Sequence, residues 1–374
     1  RRVLFRSSII APMPALSRSI HSIDQIRTIE TAAIESGIDA YTLMCRAGQA
    51  AFAVLQAQWP TAKNIIVVCG SGNNAGDGYV LAQEAMTAGF TVTVVSLCAP
   101  ESLRGAAQLA WQAYRNAGGL TQSWDARLLE GADVVVDAIL GTGLSRSIDE
   151  SLQQVIHTIN ASGLPVLALD VPSGLYADNG HVMGAAIRAS HTISFVGLKT
   201  GFYLGEGPNY VGQVSLDELS IPTSILQAAH VAAMRIDESC VQRALPPRAR
   251  TAHKGHFGHV LIVGSGLGMP GAVRLAGEAC LRVGAGLVTV ATRPEYVASV
   301  VAGCPELMVQ GVHSAEDLAP SLEQADVIAI GPGLGQDAWA FELWSAVLST
   351  NKPLIVDADA LNLLALHPQR RDHW

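Results

Sequence analysis

The sequence is 374 residues long with a formal net charge of −8; 49% of its residues are hydrophobic and 15% are charged. That length holds two domains with full cores, and the composition excludes a disordered chain. With no basic cluster in the body of the chain, nucleic acid is not expected as a partner; no apolar run reaches the ~18 residues that span a membrane.

The chain opens RRVLFRSSIIAPMPALSRSIHS, with four arginines and no acid before Asp24. Residues 1–22 read as a tail: an Arg- and Ser-rich transit peptide, or upstream sequence translated ahead of Met13. The first reading implies a mitochondrial location, the second a cytoplasmic one. Six cysteines, at 45, 69, 98, 240, 280 and 304, show no CxxC or CxxH spacing and read as buried free thiols of a reducing cytosol.

From residue 23 on, short β-branched runs alternate with segments of helical period, the pattern of a parallel α/β architecture. Strands are expected at 65–69, 91–96, 134–138, 166–169 and 191–195, and helices at 78–88, 106–117 and 150–161. A polar, proline-punctuated span, IPTSILQAAHVAAMRIDESCVQRALPPRARTAHKG, then precedes a second glycine-rich turn in HVLIVGSGLGMPGA. The domain boundary is placed at Arg235, giving domains over 23–234 and 235–374. Both halves repeat a strand, a glycine turn and a helix, as any parallel sheet does.

In open parallel sheets ligands bind where the carboxyl ends of strands meet their loops. Three such ends can converge in the first half. The first delivers GSGNNAGDG, the second carries Asp137 and delivers LGTGLSRS, and the third delivers Asp170 and VPSG. Asn74, Asp137 and Ser173 are hard oxygen donors suited to Mg²⁺, Ca²⁺ or an alkali cation and not to zinc; their bland alternative is turn and helix capping. GTGLSRS offers backbone N–H groups, two hydroxyls and Arg146 as a phosphate cradle, while Asp77 would repel a pyrophosphate over its own turn. Asp170, ahead of the proline in DVPSG, is expected to have an extended backbone and to act as general base.

The stretch from Gly70 to Gly78, with GTGLSRS and DVPSGL, resembles the NAD(P)H-hydrate epimerase domain. HKGHFGHVLIVGSGLGMPGA, GAGLVTVATRP, ELMV, GPGLG and DADALNLL resemble the ribokinase-like NAD(P)H-hydrate dehydratase domain. Together, over residues from about 22 to 366, the chain resembles the bacterial bifunctional NAD(P)H-hydrate repair enzymes. The resemblance implies a Rossmann-like three-layer domain with a mostly parallel sheet, followed by an incomplete ribokinase-like α/β domain. It implies a small-molecule substrate, the 6-hydroxy adduct of NADH or NADPH. Its R and S forms are interconverted by the epimerase, and the S form is dehydrated by the second domain with ADP or ATP and Mg²⁺.

It further implies substrate contacts at Asn73, Asn74, Ala75, Gly76 and Asp77, at Gly141, Thr142, Gly143, Leu144, Ser145, Arg146 and Ser147, and at Asp170. Potassium is implied at Asn74, Asp137 and Ser173. In the second domain Ala272 and Gly335 match hydrate contacts, and Lys254 and Asp357 lie in family motifs. Ala75 stands where the family usually has glycine; if a positive φ is needed there, alanine costs ~1 kcal/mol. Family members continue past DADALNLL with nucleotide-binding segments and a catalytic aspartate, so little dehydratase activity and a poorly stable second module are expected of this chain. A homo-oligomer is left open. The rival readings are an NAD-dependent oxidoreductase, a ribokinase-like small-molecule kinase and a non-catalytic binding protein. Against the first, VVSLCAP carries no ribose-binding acid; the intact Asp170 and asparagine turn speak against the last.

Overall fold

A computed structural model describes residues 18–368; of the tail read at residues 1–22, residues 1–17 lie outside the described residues, whereas Ser19–His21 form a strand and Ser22 caps the helix that follows. The chain divides between Ala244 and Leu245 into two compact units. Residues 235–244 join the first unit, where Asp237 pairs with Arg18 at 3.3 Å.

The first unit contains β1 (Ser19–His21), β2 (Asn64–Cys69), β3 (Thr91–Ser96), β4 (Thr121–Gln122), β5 (Val134–Ala138), β6 (Val166–Leu169), β7 (His191–Phe195), β8 (Leu198–Lys199), β9 (Gln213–Asp217) and β10 (Ala233–Met234). Seven of these form one parallel sheet in the order β4-β3-β2-β5-β6-β7-β9, and β10-β1-β8 form a small second sheet. All five strands expected in this half are present. Side chains of β2 alternate between two cores. Ile65, Val67 and Cys69 face one, and Ile66 and Val68 face the other. A strand buried on both faces has to be apolar throughout, which explains its unbroken run.

Helices cover both faces. α1 (Ile23–Glu35), α2 (Ala40–Gln58), α3 (Asn73–Thr87) and α4 (Gly105–Asn116) supply the first core, and α5 (Glu150–Ala161) packs on the second. The short α6 (Thr223–Ala228) and α7 (Glu238–Ala244) follow. Ser22 and Gln25 form a capping box at α1, and Asp39 and Asp149 cap α2 and α5. Strand order reverses between β2 and β5, so a crevice opens there at the carboxyl ends of the strands.

The helix expected at 78–88 starts five residues earlier, at Asn73. Its glycines serve close packing and not a free loop. A Cβ at Gly76 would lie 2.3 Å from Met44 Sδ and 2.9 Å from Ala107 Cα, and one at Gly78 would lie 2.6 Å from Ala138 Cβ.

The second unit holds β11 (His259–Val263), β12 (Leu287–Thr292), β13 (Met308–Gly311), β14 (Val327–Ile330) and β15 (Leu354–Val356), all parallel in the order β13-β12-β11-β14-β15. They are flanked by α8 (Gly271–Val283), α9 (Val297–Gly303), α10 (Ala315–Gln324), α11 (Ala338–Leu348) and α12 (Ala358–Leu366). Both units are thus α/β with mostly parallel sheets. The six cysteines are free, but only Cys69 and Cys304 are buried and the other four are half-buried. Among the described residues no helix is long and apolar enough to cross a membrane.

Candidate active site

Strand β2 ends at Cys69, and α3 begins only four residues later. Gly72 is its N-cap, and no side chain caps the first turn. Asn73 to Asp77 therefore occupy the opening turns of a helix whose amino end lines the crevice; the Ala75 N–H donates to Gly72 O at 3.2 Å, and among the described residues no side chain satisfies the N–H groups of Asn73 and Asn74. Ala75 is helical and fully buried. It has no positive φ, so the expected penalty for alanine at this position does not arise.

At the end of β5, Asp137 is 0% exposed. Its Oδ2 accepts the Ser173 N–H at 2.8 Å. Its Oδ1 accepts the Ser173 hydroxyl at 2.5 Å and the Ile139 N–H at 3.2 Å. The Ser173 oxygen in turn accepts the Leu140 N–H at 2.8 Å. These bonds tie the turn after β6 to the turn after β5. Burial pushes the Asp137 carboxyl up to about 6, against the pull of the Ser173 and Ile139 donors. Asn74, 6% exposed, has no hydrogen-bond partner at either its amide nitrogen or its amide oxygen. A buried amide left unsatisfied on both sides is costly and points to a missing ligand.

Asp170 follows β6 with φ +64°. The expected extended backbone is therefore corrected. The residue directly before Pro172 is Val171, so the proline restrains Val171 and leaves Asp170 free to turn left-handed. The Asp170 N–H donates to Ile193 O at 2.8 Å. Its Oδ2 accepts the Thr142 N–H at 3.2 Å, and its Oδ1 receives Lys199 Nζ at 2.5 Å. A Cβ on Gly141 would stand 3.0 Å from Asp170 Oδ2 and 3.5 Å from Asn74 Cγ. Asn74, Gly141 and Asp170 thus meet at one point.

That point lies on a cavity of about 520 Å³ within the first unit, whose polar lining includes Arg27, Glu30, Asn73, Asn74, Asp77, Thr142 and Asp170. Burial, then the charges of Asp170 and Glu30, holds the Asp77 carboxyl well above its usual range, with Lys199 opposing. Burial followed by Asp170 likewise raises Glu30, with Lys199 and Arg27 opposing. Burial and neighbouring like charge thus shift both carboxyls in the same upward direction.

Of the other residues singled out by sequence, Gly141, Thr142, Gly143 and Leu144 line this cavity. Ser145, Arg146 and Ser147 are exposed and are not part of its lining. In the second unit Ala272 sits in the first turn of α8, its Cβ 3.0 Å from where a Cβ on Gly333 would stand. Gly335 has φ +80°, and its N–H donates to Asp359 Oδ2 at 2.9 Å. Asp357 is the N-cap of α12, after β15, whereas Lys254 precedes β11 and so lies toward the opposite end of the sheet.

Sequence reasoning missed Lys199, Glu30 and Arg27. Lys199 left one signal, as the lone charge in the run TISFVGLKTGF. Glu30 and Arg27 left none, because α1 reads as an ordinary amphipathic helix with a polar outer face.

The model for the YjeF-related protein N-terminus matches residues 40–201, and the model for NAD(P)H-hydrate dehydratase matches residues 260–373. The bifunctional NAD(P)H-hydrate repair enzyme Nnr of Coxiella burnetii is 47% identical over 350 residues, 94% of this chain and 72% of that protein. Its namesake in Escherichia coli is 43% identical over 349 residues, 93% of this chain and 67% of that protein. Among solved structures, the ADP/ATP-dependent NAD(P)H-hydrate dehydratase of Bacillus subtilis, co-crystallized with ATP/Mg²⁺, is 31% identical. That likeness covers 33% of this chain and 46% of that one, with a TM-score of 0.30.

Proposed function

The chain belongs to the bifunctional NAD(P)H-hydrate repair enzymes, and from that premise we propose how its amino-terminal unit performs the epimerase half of the work. The protein carries an epimerase and a dehydratase domain and acts on the small-molecule NAD(P)H hydrate. The observation that carries the proposal is the meeting of Asn74, Gly141 and Asp170 on one cavity.

Inverting the hydrate at C6 breaks and re-forms one bond there. Either the ring C–N bond opens as the hydroxyl gives up its proton and closes again on the other face as the proton returns, or the C–O bond breaks as the leaving oxygen takes a proton and water then adds to the other face and gives the proton back. Asp170 is the base. Its Oδ2 lies beside Gly141 and Thr142, both of which line the cavity, so a hydroxyl held there is within reach of the carboxylate. Asp77 and Glu30, whose carboxyls burial pushes upward, line the same cavity and face the substrate. The amino end of α3 and the residues 141–144 hold the rest of the molecule; Ser145, Arg146 and Ser147 contact its more exposed part.

Potassium fits the donor set. Asn74 Oδ1 lacks a partner, and Asp137 and Ser173 add hard oxygens at the next strand ends. When bound, the ion would offset the buried charge of Asp137 and fix the amino end of α3. In the second unit we place hydrate contacts at Ala272 and Gly335. The ADP or ATP with Mg²⁺ implied for dehydration has backbone N–H groups at the α8 turn and the carboxylates of Asp357 and Asp359 as suitable donors.

The test starts from pure R-hydrate with protein and potassium and follows the S form by chromatography. Asp170→Asn should lower turnover by ~10²–10⁴-fold with the fold intact. Full epimerase rate in that variant would remove Asp170 from the mechanism.

A further inference from the structure

Lys199 is 0% exposed, and each of its three ammonium donors has a acceptor at hand: Asp170 Oδ1 at 2.5 Å, Ser194 Oγ at 2.9 Å and Phe195 O at 2.9 Å. The second acceptor is itself fixed, because the Ser194 hydroxyl donates to Gly197 O at 2.7 Å. An ammonium so surrounded has no donor left for a substrate. Lys199 is also absent from the cavity lining, whereas its partner Asp170 belongs to it.

We propose that Lys199 is a positioning residue of the epimerase reaction, holding the Asp170 carboxylate so that Oδ2 is the oxygen turned to the substrate. The inference rests on the reading of Asp170 as the base. Two attachments fix that base. The main-chain N–H of Asp170 is bonded to β7 through Ile193, and its Oδ1 is bonded to the lysine at the end of β8. They hold a residue with a side chain in the left-handed region, which such residues seldom occupy. With Oδ1 engaged, rotation about the last side-chain bond would break an ion pair, so Oδ2 stays beside Thr142 N–H and the position above Gly141.

The neighbouring charges make the lysine more than a structural pin. Glu30 from α1, Asp77 from α3 and Asp170 after β6 interact electrostatically with one another and with Lys199, and His21 on β1 faces the same ammonium. Arg27, which does line the cavity, is exposed. A cavity with three carboxyl groups therefore depends on Lys199 to keep Asp170 in place against its acidic neighbours. A neutral side chain of the same length would fill the space without supplying that hold.

The test compares Lys199→Met, Asp170→Asn and the double variant, reading kcat and KM for conversion of R- to S-hydrate. Lys199→Met should lower kcat about 10²-fold, the effect of a misplaced catalytic group, with KM changed by less than about threefold. In the Asp170→Asn background the same change should remove no further activity, because the lysine acts only through that carboxylate. A Lys199→Met kcat within about threefold of wild type, or losses that multiply in the double variant, would overturn the proposal. An Asp170→Asn enzyme at full rate would overturn the base reading instead, so the two failures are distinguishable. Should the unpaired, half-buried carboxylate of Lys199→Met prevent folding, the double variant leaves neither charge unpaired. Its rate set against Asp170→Asn alone then decides: equality supports the proposal, and a further fall refutes it.

Discussion

Replacing Asp137 by asparagine tests the buried knot behind the site, because its effect must change with pH. The folded protein raises this carboxyl from 3.8 to about 6, a gap worth about 3 kcal/mol. A raised folded value means that the native state holds the proton more tightly than the unfolded chain. The associated stability is fully present below pH ~4 and is lost as pH rises through ~6. Asparagine keeps the shape and one acceptor oxygen but carries no charge. It leaves one of the three donors, Ile139 N–H or a Ser173 group, without a partner, at a cost of about 1–3 kcal/mol. Near pH 8 that loss is offset by removal of the buried charge, and wild type and Asp137→Asn should be close in stability. Near pH 4 the wild-type group is protonated, and the variant should be weaker by the full amount, so the difference swings by about 3 kcal/mol across the range. Urea unfolding in potassium-free buffer, followed by hydrogen exchange in peptides of the first unit, reads the difference directly. A difference of equal size at both ends of the pH range would refute the argument that Asp137 is ionised in a desolvated site.

Two glycines give sharper geometric tests. Gly76→Ala places a Cβ 2.3 Å from Met44 Sδ and 2.9 Å from the Ala107 backbone; such overpacking should destabilise the first unit by about 1–3 kcal/mol, seen as a lowered calorimetric midpoint, and an unchanged midpoint would mean that α2, α3 and α4 do not meet there. Gly141→Ala sets a methyl group 3.0 Å from Asp170 Oδ2 and should cut epimerase kcat about tenfold through misplacement of the base with little change in melting; an unaltered rate would show that the substrate does not approach from that side.

Much of the frame was legible because it rests on local pattern. The β-branched runs at 134–138, 166–169 and 191–195 coincide with β5, β6 and β7, since a strand buried on both faces can carry little else. Sequence also singled out Asn74, Asp137 and Ser173 as oxygen donors at neighbouring strand ends, and parallel pairing of β2, β5 and β6 brings those ends side by side. What escaped was tertiary. The start of α3 was hidden by Gly76, which reads as a loop residue by propensity. It lies in the helix where α2 and α4 approach too closely for any side chain. The left-handed turn at Asp170 was hidden because proline restrains only the residue before it.

Lys199 shows why a site reading from motifs stops short. A motif names the groups that touch a ligand, and this lysine is separated from Asp170 by 29 residues and from the cavity by Asp170 itself. Its burial is still informative, since a fully desolvated ammonium persists only where acceptors surround it. In this fold the acceptors come from β7, whose Ser194 and Phe195 turn back toward β8, and from the one carboxylate on the cavity that needs to be held. The single charge inside TISFVGLKTGF was therefore a sign that some acid had to be found beside it. The structure shows that acid to be the residue proposed as the base, which joins the packing of the sheet to the chemistry at its edge.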